Sequence, residues 1–173
     1  MPHAPTTSIQ FKVEPDAPRS SGTTLVAERV GRTEPPNAHS ASDKPIVLIV
    51  DDDQDLRESL VRMLAECDLL AVGATSTLNA LEILQHSRVD IVVSDQFTWG
   101  MDGVSLLSTV RQRWPLVQRI LFTADAAPDI IIDAVNRAGV HKVLLKTMHA
   151  VQIRDAIEEV ALDTIRRRVS IIG

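Results

Sequence analysis

The chain has 173 residues, 45% of them apolar and only 3% aromatic, with a formal charge of −5. Five aromatics and no tyrosine argue against a nucleobase-stacking platform, and the acidic balance argues against a general nucleic-acid binder. A single cysteine, Cys67, excludes a disulfide framework or a cysteine zinc site. No apolar run approaches the roughly 20 residues that span a bilayer, and Met1-Pro2-His3 opens no signal-peptide pattern. The expectation is a soluble cytoplasmic protein without membrane insertion.

Composition shifts near Pro45. Seven of the nine prolines lie in residues 1–45, which carry five basic and five acidic residues. This Ser/Thr/Pro-rich stretch cannot bury enough surface to offset chain entropy and reads as a disordered tail. The alternation of Ile9, Phe11 and Val13 is read as solvated apolar residues rather than a docking strand.

From residue 46 two kinds of segment alternate. Ile46–Val50 is a β-branched run, the pattern of a strand buried on both faces. Leu56, Leu60, Met63, Leu64 and Cys67 follow at helical spacing. Leu70–Ala74 is a weak strand, and Ser76 caps a helix through Leu78, Leu81 and Leu84. Ile91-Val92-Val93 is a buried strand ending at Asp95. Val104, Leu107, Val110 and Trp114 mark a helix stopped by Pro115. Ile120-Leu121-Phe122 is a strand ending at Thr123. Pro128 opens a helix that Gly139 ends. Val143-Leu144-Leu145 ends at Lys146, and Ile153, Ala156, Ile157 and Val160 face inward on a last helix. Five βα units imply an α/β fold, a doubly wound parallel sheet covered on both faces. In such sheets functional groups gather at the carboxyl ends of the strands.

Those ends carry Asp51-Asp52-Asp53, Asp95, Thr123 and Lys146. Clustered carboxylates repel, and a divalent cation relieves the conflict. Mg²⁺ (or Mn²⁺) suits a few carboxylates and also accepts a phosphate oxygen. The set reads as a carboxylate nucleophile beside a metal, with a lysine and a hydroxyl placed for developing phosphoryl charge. Asp53 and Asp55 read as helix-capping acids, and Gly103 as a backbone requirement.

Ile49-Val50-Asp51-Asp52-Asp53, Val93-Ser94-Asp95, Gly100-Met101-Asp102-Gly103, Leu121-Phe122-Thr123-Ala124 and Leu144-Leu145-Lys146 together resemble the motifs of response-regulator receiver domains, in the family's order and spacing. The resemblance covers 46 to about 165. It implies a flavodoxin-like (βα)5 fold with strand order 2-1-3-4-5. It implies Asp95 as phosphoacceptor, and a metal held by Asp51, Asp52, Asp95 and the Phe97 carbonyl. Thr123 and Lys146 would bind phosphoryl oxygens, while Phe97 and Asp125 would flank the acyl phosphate and tune its lifetime. The donor would be a histidine kinase or phosphotransfer protein. Such a domain is not a conventional enzyme: it catalyses its own phosphoryl transfer and a slow autodephosphorylation.

Three positions depart from the family pattern. Trp99 stands where proline is usual. Thr147 replaces a cis-linked proline, so the bond after Lys146 is expected to be trans. Val143 replaces the switch aromatic, so output is expected through the helix at 128–138 without a ring flip. Ile130, Ile131 and Ile132 are more than one inward stripe requires: burial under the last helix is the favoured reading, and exposure of some as a partner surface is the alternative. The expected organisation is a tail over 1–45, a receiver over 46–168 and a short tail over 169–173, with no effector domain. Arg166-Arg167-Arg168 reads as a helix-end run placed against the dipole rather than a nucleic-acid patch. Output would then be contact with a downstream protein, or with a second copy as a homodimer. Two alternatives are a phosphorylation-independent pseudo-receiver module and a small phosphohydrolase with Asp51 as nucleophile.

Overall fold

The computed structural model describes residues 44–172. Apart from Lys44 and Pro45, the expected N-terminal tail, with Ile9, Phe11 and Val13, lies outside the described residues. Five strands alternate with helices: β1 Ile46–Val50, α1 Gln54–Ala65, β2 Leu70–Ala74, α2 Thr77–His86, β3 Ile91–Asp95, α3 Gly103–Arg113, β4 Gln118–Thr123, α4 Pro128–Asp133, β5 Lys142–Leu145 and α5 Ala150–Ile172. All neighbours pair in parallel, in the order β2-β1-β3-β4-β5. The flavodoxin-like topology is therefore as expected.

Alternation along the strands builds two cores. Leu48, Val50, Val92 and Leu121 face one side, with Ala80 and Leu84 of α2 and Val104, Leu107 and Val110 of α3. Val47, Ile49, Val93, Ile120 and Phe122 face the other, with Leu60 and Leu64 of α1 and Ile153 and Ile157 of α5. Each fully buried Leu or Ile here contributes about 1.5–3 kcal/mol of burial free energy. On α2 the inward residues are Thr77, Ala80 and Leu84, whereas Leu78 points to solvent.

Caps follow the local chemistry. Asp53 accepts the Leu56 amide at 3.1 Å, Ser76 the Asn79 amide at 3.2 Å, and Asp102 the Ser105 amide at 2.9 Å. The helix from Pro128 to Gly139 is less regular than its sequence suggests. After Asp133 it widens into a π turn over Ala134–Ala138, closed by left-handed Gly139 at φ 56°. Two arginines take up its end carbonyls. Arg119 donates to the oxygens of Ala138 and Gly139, and Arg111 to those of Asn136 and Arg137.

Two expectations about the helices are corrected. The three isoleucines are not buried under α5, because α4 and α5 cover opposite faces of the sheet. Ile130 packs in the α3-side core and Ile132 is exposed. The arginine run does not end its helix, because α5 continues to Ile172. Arg167 pairs with Asp163, and Arg168 pairs with Asp90 at the amino edge of the sheet.

Asp90 is the buried polar anchor of that edge. Its Oδ2 accepts the Ile46 amide at 2.8 Å, and Arg88 approaches it as well. Burial alone would raise this carboxyl, but hydrogen bonds from Arg168, Ile46 and Arg88 hold it below its ordinary value. A depressed folded pKa stabilises above the unfolded pKa near 3.9, and the gain is lost as pH falls through the folded value. Asp90→Asn therefore costs about 2 kcal/mol at neutral pH. In thermal melts its deficit against wild type shrinks below about pH 4; an equal deficit at acid pH would contradict this role.

Candidate functional site

The carboxyl ends of β1 and β3 lie side by side because Val50 pairs with Ser94. The next residues, Asp51 and Asp95, therefore emerge together on one rim. Asp51 is 1% exposed and Asp95 6% exposed, while neighbouring Asp52 is open to solvent. Ligand oxygens of these three carboxylates lie within 4.8 Å of one another.

Lys146 reaches into the cluster from the end of β5. Its Nζ is 2.9 Å from Asp51 Oδ2 and 3.1 Å from Asp95 Oδ1. Among the described residues no peptide bond is cis, so the bond to Thr147 is trans as expected. The lysine nevertheless spans to both carboxylates. Its backbone amide donates to the Thr123 carbonyl at 2.9 Å, which ties the β4 and β5 ends together. Burial would lower the Lys146 ammonium, but its hydrogen bonds to Asp51 and Asp95 hold it above the ordinary lysine value. Burial pushes the Asp51 carboxyl up, against hydrogen bonds from Lys146 and the Asp53 amide. Two buried carboxylates thus share one cation, and a hard divalent ion fits this oxygen donor set.

The remaining predicted residues divide by place. The Phe97 amide donates to Asp95 Oδ2 at 3.2 Å, so both oxygens of that carboxylate are held. Thr123 is fully buried and its Oγ1 accepts the Asp125 amide at 3.1 Å. The Asp125 carboxylate accepts the Ala127 amide, at the start of α4. Val143 is half-buried in the middle of β5, opposite Leu121, and packs in the α3-side core. Phe97 and Trp99 project outward, 63% and 76% exposed. They line a shallow depression of about 370 Å³ together with Asp52, Met101 and Asp102.

Three supports had no signal at the strand ends. Thr77, buried at the start of α2, donates through Oγ1 to the Trp99 carbonyl and accepts the Met101 amide. Gly100, at φ 113°, lies so close that a Cβ would meet that hydroxyl. Gln96 Oε1 accepts the Val104 amide and fixes the entry to α3. Gly103 packs with no room for a side chain, since a Cβ there would overlap the Asp95 carbonyl oxygen. In the sequence Gly103 was visible as a backbone requirement and Gly100 only as part of the motif it shares with Gly103, whereas Thr77 and Gln96 carried no signal.

Fold and pocket together define a doubly wound α/β domain with an acidic, lysine-bridged pocket at its carboxyl rim. Residues 47–158 match the response regulator receiver domain family, and the chain belongs to that family. The hydrogenase transcriptional regulatory protein HoxA of Cupriavidus necator is 32% identical over 133 residues, covering 76% of this chain and 26% of that protein. Response regulator protein FleR of Pseudomonas aeruginosa is 35% identical over 116 residues, covering 67% of this chain and 24% of that protein. The chain thus spans about a quarter of these relatives' length. The receiver domain of an HD domain-containing protein from Pseudomonas fluorescens Pf-5 superposes with a TM-score of 0.70 at 26% identity, over 76% of this chain and 97% of that one. A CheY-like receiver from Methanospirillum hungatei superposes at 0.68 with 20% identity, over 72% and 98%, which shows the fold alone. Among the described residues, no helix is long and apolar enough to cross a membrane.

Proposed function

We propose that this receiver accepts a phosphoryl group on Asp95 from a histidine kinase or phosphotransfer protein, in a Mg²⁺-dependent reaction. The observation that carries the reading is Lys146 bridging Asp51 and Asp95 beside an exposed Asp52. A carboxylate oxygen of Asp95 attacks phosphorus. The O–P bond forms as the bond to the donor's imidazole nitrogen breaks, and that nitrogen takes up a proton. The product is an acyl phosphate. Mg²⁺, or Mn²⁺ in its place, would be held by Asp51, Asp52, Asp95 and the Phe97 carbonyl, and would supply charge to the transferring oxygens. Lys146 offsets negative charge already present and keeps a second cation beside the reacting carboxylate. The Thr123 hydroxyl can donate as well as accept, which suits it to a phosphoryl oxygen. Phe97 and Trp99 line the depression beside Asp52, and Phe97 and Asp125 would tune the lifetime of the acyl phosphate.

The output runs from Thr123 into α4, toward a downstream protein or a second copy of the chain. Thr123 Oγ1 holds the Asp125 amide, and Asp125 holds the Ala127 amide, so a turn of the hydroxyl is felt at the first turn of α4. That helix has no buried residue and runs into a π turn, the kind of weakly held element that switches. No ring flip is needed at Val143. In a complex with an acyl-phosphate analogue, amide exchange over 128–138 changes at least several-fold; unchanged exchange there and over 143–145 refutes this route.

Mass measurement of the intact protein after treatment with Mg²⁺ and a small phosphodonor, with Asp95→Asn as control, tests the phosphoacceptor. An unmodified wild type would favour the pseudo-receiver reading. Of the three departures that motivated that reading, Thr147 loses its weight, because Lys146 reaches both carboxylates. Membership of the receiver family removes the support for Asp51 as a phosphohydrolase nucleophile.

A further inference from the structure

Asp51 is held from three sides, and one of the holders lies outside every motif of the pocket. Its Oδ1 accepts the Asp53 amide at 2.9 Å and its Oδ2 meets Lys146. Its carbonyl oxygen, the first beyond the paired part of β1, accepts Arg57 Nη1 at 2.7 Å. Arg57 starts one turn into α1 and crosses the edge strand β2 to reach that oxygen. It crosses at Gly73, where a Cβ would lie 2.9 Å from Arg57 Cδ and 3.1 Å from Cγ. The missing side chain at 73 is the channel through which the arginine stem passes.

We infer that Arg57, seated over Gly73, is a positioning residue that fixes the peptide plane joining Asp51 to Asp52 and so aims both carboxylates of the metal pocket. The reasoning is geometric. The oxygen Arg57 holds belongs to the same rigid peptide unit as the Asp52 nitrogen. Holding it sets the direction in which Asp52 leaves the strand. A charged donor on a backbone carbonyl makes one of the stronger hydrogen bonds, and its loss leaves that carbonyl unsatisfied. Groups that orient metal ligands without touching the metal typically carry a large share of metal affinity.

Charge alone makes the opposite forecast. A guanidinium beside a cation site repels the cation, so its removal would tighten Mg²⁺ binding. The two accounts therefore differ in sign. The inference rests on the metal-binding reading above, and the test separates the two. Calorimetric titration with MgCl₂ at fixed ionic strength compares wild type, Arg57→Ala, Arg57→Lys, Gly73→Val and Asp51→Asn, with each fold checked by thermal melting. Arg57→Ala weakens Mg²⁺ binding about tenfold despite losing a positive charge. Gly73→Val does likewise with the arginine still present, and Arg57→Lys recovers part of the loss. Arg57→Ala that binds Mg²⁺ as tightly as wild type, or more tightly, overturns the inference. Should Asp51→Asn bind like wild type, it is the metal reading that fails. A metal-free readout then still decides Arg57: the Asp52 amide resonance shifts in Arg57→Ala and in Gly73→Val. An unmoved Asp52 signal in both overturns the positioning role whatever the metal does.

Discussion

Asp95→Asn abolishes uptake of a phosphoryl group from a small phosphodonor in Mg²⁺, while the domain stays folded. The reason lies in how the carboxylate is held. Lys146 and the Phe97 amide fix its two oxygens, and the side chain is almost fully buried at the end of a central strand. An amide of the same shape can fill that space but lacks the anionic oxygen that attacks phosphorus. Intact-mass measurement then shows the increment of one phosphoryl group in wild type and none in the variant. Modification that persists in Asp95→Asn would move the acceptor elsewhere. Asp51→Asn provides the internal contrast. It weakens metal binding and slows the reaction, but leaves the nucleophile in place.

Lys146→Met produces the largest stability effect. The ammonium is the cation placed between Asp51 and Asp95, and those carboxylates are buried. Removing it leaves two uncompensated charges, a change that costs about 3–5 kcal/mol when a buried pair is broken. It also removes a hydrogen bond that holds Asp51 down, so this already raised carboxyl titrates higher still. Mg²⁺ restores much of the loss, because a divalent ion neutralises the same two groups. Thermal melts with and without MgCl₂ read this directly: the metal raises the melting temperature of the variant more than that of wild type. Equal increments in the two proteins would show that Lys146 does not share its task with the cation. Phosphoryl uptake by the variant falls about 10²–10³-fold, the usual cost of removing one group that stabilises transition-state charge.

Much of this architecture was legible because its signals are local and periodic. Runs such as Ile46–Val50 and Ile91–Val93 are apolar on both faces, which only a sandwiched parallel strand requires. Asp53, Ser76, Pro128 and Gly139 carry their meaning in their own backbone neighbourhood, and each cap lies where local chemistry places it. The acidic cluster was legible for a different reason. Residues at strand ends share a rim whatever the loops do, so Asp51, Asp95 and Lys146 could be brought together from topology alone.

What escaped the sequence depends on which face an element covers and how far a long side chain reaches. Leu78 fits the helical spacing but lies on the outer side of α2, whose inward stripe is Thr77, Ala80 and Leu84. The isoleucines of α4 could be buried under either neighbour by pattern, and only the crossover to the α3 side decided it. The π turn had no local signature, and the arginines that take up its end carbonyls, Arg119 and Arg111, reach across from β4 and α3. Arg168 fits a helix-end charge by pattern, but α5 runs on and carries it over Asp90.

The sequence by itself determined the βα order, a parallel sheet covered on both faces and the residues that meet at its carboxyl rim, because periodicity and strand ends are properties of short segments. Only the tertiary structure decided how that rim is held: Lys146 spanning two carboxylates past a trans Thr147, and Arg57 crossing Gly73 to reach Asp51. Those contacts join residues far apart in the chain through flexible side chains. Their reach is set by packing, which no local pattern encodes.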